Sequence, residues 1–165
     1  MGLLSFIKEA GEKLFGKPQV QAAMAAARAD PSSEEKAKAA NDAAADTILA
    51  YIDAQGLRAT GLTVTYDGTT ATVYGVADSQ ATKEKILLCC GNVQGVAAVN
   101  DQMTVDQSAP EAQYYTVVKG DNLSKISKQY YGDPNKYPKI FEANKPMLKS
   151  PDLIYPGQVL RIPPL

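Results

Sequence analysis

Apolar residues near the start of the chain fall at Leu3, Leu4, Ile7, Leu14 and Phe15, close to helical spacing, with Lys8, Glu9, Glu12 and Lys13 on the other faces. The pattern predicts a short amphipathic helix. Gly16, Pro18 and an Ala-rich polar tract up to Pro31 then read as a connector of partial helical propensity, which makes 1–31 one N-terminal unit. Ser32 or Ser33 followed by Glu35 and Lys36 reads as a helix start, with Ser32 and Glu35 at capping-box spacing; Ala40, Ala44, Ile48 and Ile52 form a stripe, and Gly56 is placed to end that helix. Leu62, Val64 and Tyr66 alternate with Thr63 and Thr65, Asp67-Gly68 supplies a turn, and Ala71 to Val76 forms the return strand of a hairpin. A second helix fits Ser79 to Cys90 with Gly91 as its stop, and a third strand fits Val96 to Val105. The order αββαβ over 32–106 implies one small sheet with two helices on one face.

Residues 107–113 carry Gln, Ser, Ala and Pro without periodicity, the composition of a linker. Beyond it, 114–165 reads as a βααβ unit. Tyr115 to Val118 is a strand, Gly120-Asp121 turns the chain, and Leu123, Ile126 and Tyr130 line one side of a helix that Gly132 ends. Asn135 caps the next helix, Pro138 lies in its first turn, and Gln158 to Ile162 returns as the second strand. The fold class expected is therefore α+β, in two small domains.

Charge narrows the function. There are 17 basic and 18 acidic residues, and no long run of either sign, so nucleic acid is not expected as a partner. Histidine is absent, which removes the commonest general base, and no reactive-thiol setting is present, so no enzyme activity is expected; the lack of an Asp-rich loop argues against calcium. Cys89 and Cys90 are adjacent and lack the partners a zinc site needs; they read as reduced, half-buried thiols. Charges at Lys8, Glu9, Glu12 and Lys13 break any secretory hydrophobic run, MGLLSF misses the myristoylation pattern, and no apolar stretch reaches membrane-spanning length. A cytoplasmic monomer is expected.

Two resemblances add to this reading. YTVVKGDNLSKISKQYYGDPNKYPKIFEANK followed by IYPGQVLRIP resembles the LysM domain. That likeness implies a shallow groove for N-acetylglucosamine polymers such as peptidoglycan. Its lips would be Gly120, Asp121, Asn122 and Leu123 on one side and Ile154, Tyr155, Pro156 and Gly157 on the other. ATVYGVADSQATKEKIL and GNVQGVAAVNDQM resemble the BON domain, usually described as a phospholipid- or small-ligand-binding module. Turn and cap chemistry also accounts for Gly120, Asp121, Pro156 and Gly157, and core packing for Leu123. Asn122 and Tyr155 are the pair that look chosen for contact.

The whole arrangement, MGLLSFIKEAGEKLF followed by BON and LysM, resembles a family of bacterial cytoplasmic potassium-binding proteins that become compact on binding K⁺. The stretch from Lys17 to about Asp42 is longer and more Ala-rich than that likeness leads one to expect. The resemblance implies an ion site of main-chain carbonyls, carried by Ile7, Lys8 and Ala10 in IKEAG and by Gly91, Val93 and Val96 in GNVQGV. Potassium is selected by several neutral oxygens at suitable spacing, so such a site leaves no side-chain motif. Helix C-termini supply carbonyls of this kind, and GNVQGV directly follows one. Read alone, without that resemblance, GNVQG is a helix cap followed by a turn. The expected function is K⁺ binding in ion sensing or homeostasis, with K⁺ as the bound ion; the alternative is a peptidoglycan-binding protein of the cell envelope. A glycan or a protein partner could occupy the LysM groove.

Overall fold

The computed structural model describes residues 2–165. In chain order the elements are β1 (Leu3–Ser5), α1 (Pro18–Ala29), α2 (Glu34–Ala54), β2 (Thr60–Tyr66), β3 (Thr70–Ser79), α3 (Gln80–Gly91), β4 (Ala98–Gln107), β5 (Gln113–Thr116), α4 (Leu123–Tyr131), α5 (Tyr137–Ala143) and β6 (Val159–Ile162). A four-stranded sheet runs β1-β4-β3-β2, and a separate two-stranded sheet pairs β5 with β6. The mixed α+β class and the two-unit order agree with the sequence pattern.

In the first unit β2 and β3 form the expected hairpin, and α3 is the crossover that brings β4 parallel to β3. The stripe on α2 is buried as predicted, with Ala44, Ile48 and Ile52 at 0% exposure. Ile48 and Ile52 join Val73, Ile86, Leu87, Val93, Val96 and Val99 in one core. The Ser33 and Ser79 side chains accept the N–H groups of Lys36 and Thr82, capping α2 and α3.

The N-terminus departs from expectation. Residues 3–5 are a strand antiparallel to β4, with Leu3 opposite Asn100 and Ser5 opposite Ala98, and the chain continues as a looped segment instead of an amphipathic helix. Two competing patterns were available in the same residues. Leu4 and Phe6 alternate inward with Leu3, Ser5 and Ile7 outward, and the otherwise unpaired edge of β4 rewards that alternation with ladder hydrogen bonds. Gly11, at φ +105°, then takes a backbone conformation a helix does not contain. The Ala-rich connector is itself helical from Pro18 to Ala29, with proline in its first turn and Val20 as its buried anchor.

In the second unit α4 and α5 pack Leu123, Ile126 and Ile140 against Val117, Leu160 and Ile162 of the small sheet and its flank. Asn122 caps α4 by accepting the N–H of Lys125 at 2.8 Å, and Gly132 ends it in the left-handed region. Asp133, rather than Asn135, caps the turn before α5 by accepting the Asn135 N–H.

Candidate ion site at the junction of three segments

The two backbone runs singled out in the sequence, 7–10 and 91–96, lie side by side. Glu12 N–H donates to the Asn92 carbonyl at 2.9 Å, Gln94 N–H to the Glu12 carbonyl at 2.9 Å, and Gly95 N–H to the Lys8 carbonyl at 2.7 Å. Phe6 N–H donates to the Ala97 carbonyl at 2.8 Å, and the Gln94 side-chain amide to the Glu9 carbonyl at 2.9 Å. This lacing is why the looped segment holds a defined path without being helix.

Sequence places glycines where the two runs touch. A side chain at Gly91 would collide with the Phe6 ring, and one at Gly11 with the Asn92 carbonyl. The Tyr66 hydroxyl donates to the Gly95 carbonyl at 2.6 Å, and its ring packs 5.6 Å from that of Phe15. A cleft of about 810 Å³ opens beside this seam, with Lys8, Lys13, Phe15, Met24, Arg28 and Tyr66 among its walls.

The six carbonyls divide into two groups. Those of Ile7, Lys8 and Val93 each accept one main-chain N–H, from Ala10, Gly95 and Val96 respectively. A carbonyl oxygen has two lone pairs, so each retains acceptor capacity. Among the described residues, no donor reaches the carbonyls of Ala10, Gly91 or Val96. Half of these residues are dry: Gly91 is buried and Val93 and Val96 are 0% exposed, while Ala10 is half-buried and Ile7 and Lys8 are open to solvent. Buried carbonyls without donors are uncommon and call for a partner. The donor set is neutral oxygen, which suits a weakly hydrated monovalent cation and not a dense-charge divalent one. No cluster of His, Cys, Asp or Glu able to hold a metal occurs among the described residues.

The second unit closes on the same place. The ideal Cβ of Gly157 would lie 2.6 Å from the Ala10 Cβ, so this glycine, at φ +90°, is where the C-terminal unit meets the N-terminal segment. Tyr155 is half-buried beside Glu12, and burial with that negative charge pushes its phenol up to about 12. Of the groove residues, Gly120 and Asn122 are exposed, Asp121 and Ile154 are half-buried, Leu123 is core, and Pro156 is exposed. Asp121 accepts the Tyr115 hydroxyl at 2.6 Å and the Val118 N–H at 2.9 Å, a turn role. Asn122 is occupied as a cap. One lip is open, and at the other Gly157 is covered by Ala10.

Two polar contacts lock the units together, and neither was foreseen. Asn92 pairs through its side-chain amide with both main-chain groups of Val159, at 2.8 Å each. Glu84, 1% exposed, binds the Arg161 guanidinium, the Gln80 amide at 2.9 Å and the Ala112 N–H at 3.0 Å. Glu84 shares the first turns of α3 with the buried polar residues Gln80 and Lys83, so no break in an apolar stripe flagged it. Asn92 looked like ordinary cap chemistry. Cys89 and Cys90 are fully buried free thiols rather than half-buried ones. Burial raises the Cys89 thiol to about 12 and Cys90 further, which makes both inert.

No helix among the described residues is long and apolar enough to cross a membrane. Comparison with known proteins matches the LysM domain over residues 115–163 and the BON domain over residues 40–107. Over 163 residues, 99% of each chain, the sequence is 47% identical to the potassium binding protein Kbp of Escherichia coli O6:H1. It is also 36% identical over 131 residues to an uncharacterized protein of Deinococcus radiodurans, covering 72% of this chain and 51% of that one.

Proposed function

From the premise that the chain belongs to the family of the potassium binding protein Kbp, a BON domain followed by a LysM domain, we propose that it binds K⁺ through main-chain carbonyls of Ile7, Lys8, Ala10, Gly91, Val93 and Val96. The observation that carries this reading is the lacing of 7–12 to 91–96, with donor-free carbonyls at Ala10, Gly91 and Val96 on both sides of the seam. An ion shared by the two runs ties the N-terminal segment to the BON unit. Ala10 also touches the LysM unit at Gly157, so ion binding favours the closed arrangement and makes the molecule compact. The reading places the protein in the cytoplasm as a monomer that senses or buffers K⁺, with no catalytic step.

Titration of K⁺ into ion-free protein, followed by melting temperature and small-angle scattering, tests this. K⁺ raises the melting temperature and lowers the radius of gyration, while Na⁺ at equal ionic strength does neither. A flat response to K⁺ overturns it. The peptidoglycan alternative draws support from the LysM match and the exposed Gly120 and Asn122. Retention on purified peptidoglycan, abolished by N122A, would favour it.

A further inference from the structure

Val159 and Arg161 lie on the outer edge of β6. Val117 N–H donates to the Gln158 carbonyl at 2.8 Å, and Tyr115 is registered with Leu160. The Gln158 carbonyl and the main-chain groups of Leu160 and Ile162 therefore face β5, while those of Val159 and Arg161 face away. In a two-stranded sheet that edge has no strand beside it. Two asparagines substitute for one. Asn144, at the end of α5, accepts the Arg161 N–H at 2.7 Å and donates to the Arg161 carbonyl at 2.9 Å, within its own unit. Asn92 makes the same two bonds to Val159 from the other unit, both at 2.8 Å.

Asn92 is 3% exposed and belongs to three structures together. Its N–H donates to the Leu88 carbonyl at 2.9 Å and so ends α3, its carbonyl accepts Glu12 N–H from the N-terminal segment at 2.9 Å, and its side chain holds β6. The candidate ion ligands Gly91 and Val93 are its two chain neighbours. We propose that Asn92 is the residue through which the ion site controls docking of the C-terminal unit, an inference that rests on the K⁺ reading above. An ion held by the carbonyls of Gly91 and Val93 would fix the Gly91–Asn92 and Val93–Gln94 peptide planes, and the Glu12 N–H on the Asn92 carbonyl fixes the plane between them. The side-chain amide is then held in the one orientation that matches Val159. Released from the ion, the loop turns, both bonds are lost together, and the Val159 edge pairs with water. Linkage is reciprocal, so docking at Val159 holds the loop in its ion-binding shape by the same factor.

Coupling is distinct from mere interface strength, and the experiment separates them. Fluorophores placed at A54C and K139C, exposed positions on α2 and α5, report the closed-to-open ratio with and without K⁺; Cys89 and Cys90 are buried and unreactive. In the parent protein K⁺ raises the ratio. In E84Q/R161M, which weakens the interface away from the ion loop, the ratio falls but K⁺ multiplies it by the same factor as in the parent. In N92A the factor falls close to one, and K⁺ affinity by titration calorimetry drops by the factor lost. N92D keeps the acceptor for Val159 N–H and loses the donor to its carbonyl; it gives a reduced factor and serves if N92A does not fold. A parent-like factor in N92A, or in N92D where N92A is unfolded, overturns the inference. So does K⁺ binding that leaves the parent's ratio unchanged. Absence of any K⁺ binding heat in the parent overturns the K⁺ reading instead.

Discussion

The ring edge of Phe6 occupies the space that a side chain at Gly91 would need. One residue comes from the segment after β1 and the other from the last turn of α3, so glycine at 91 is what lets the N-terminus lie against the 91–96 stretch.

The contact predicts that G91A destabilises the protein by roughly 1–3 kcal/mol, the usual cost of overpacking a filled site. F6L in the same chain recovers part of that loss, because the residues are in direct contact and their effects do not add. Urea denaturation of the parent, both single variants and the double variant measures the coupling; strict additivity would contradict the contact. The K⁺ response of G91A is weakened in parallel.

Glu84 and Arg161 form an ion pair across the units, with side chains 1% and 10% exposed. Removing one partner strands the other charge, so R161A costs about 3–5 kcal/mol. E84Q/R161M, which neutralises both, costs less than R161A alone, since no unpaired charge remains buried. Denaturation midpoints of the two variants decide the matter, and the reverse order would show the pair to be solvated.

Gly157 has both a positive φ and a neighbour at 2.6 Å from its ideal Cβ. G157A accordingly pushes Ala10 away and loosens the N-terminal segment, at about 1–3 kcal/mol. A10G/G157A relieves the steric part and retains the backbone strain, so it lies between G157A and the parent. Amide exchange at Gln94 and Gly95, whose N–H groups bond Glu12 and Lys8, reports the loosening directly.

Alkaline pH weakens the fold. Burial raises the Cys89 thiol from 9.0 to about 12 and Cys90 further, and it raises the phenols of Tyr51, Tyr114 and Tyr155 above their ordinary 10.0. The folded chain holds these protons more tightly than the unfolded chain. Their contribution is complete below the unfolded values near 9.0 and 10.0, and it is lost as pH climbs toward the folded ones. The urea midpoint therefore holds steady from pH 7 to about 8.5 and falls by about pH 10.5; a level profile across that range would refute the burial of these groups.

Periodicity was enough for most of the fold. The apolar stripe on α2, the Asp67-Gly68 hairpin and the glycine ending α4 are local facts, and local chain chemistry realises them, whereas Gly91 lies inside α3 and Asn92 caps it. The candidate ion carbonyls were legible through family resemblance, since main-chain oxygens carry no side-chain signature. At the N-terminus local pattern misled: the apolar residues of 3–15 satisfy helical spacing, while Leu4 and Phe6 also satisfy strand alternation. The free edge of β4 chose between them, and no window of sequence contains that edge.

The residues that join the units were hidden for the same reason. Asn92 and Val159 are 67 positions apart, and Glu84 and Arg161 are 77 apart. Helix, turn and strand preferences act within a few residues and are written in the chain's order. Pairing of an asparagine with a strand edge, or of a buried carboxylate with a guanidinium, depends on which surfaces folding brings together. Composition and periodicity thus specified two small α+β units. The path of the N-terminal segment and the polar clasp between the units came from three-dimensional packing, because unpaired backbone and buried charge must find partners wherever the fold supplies them.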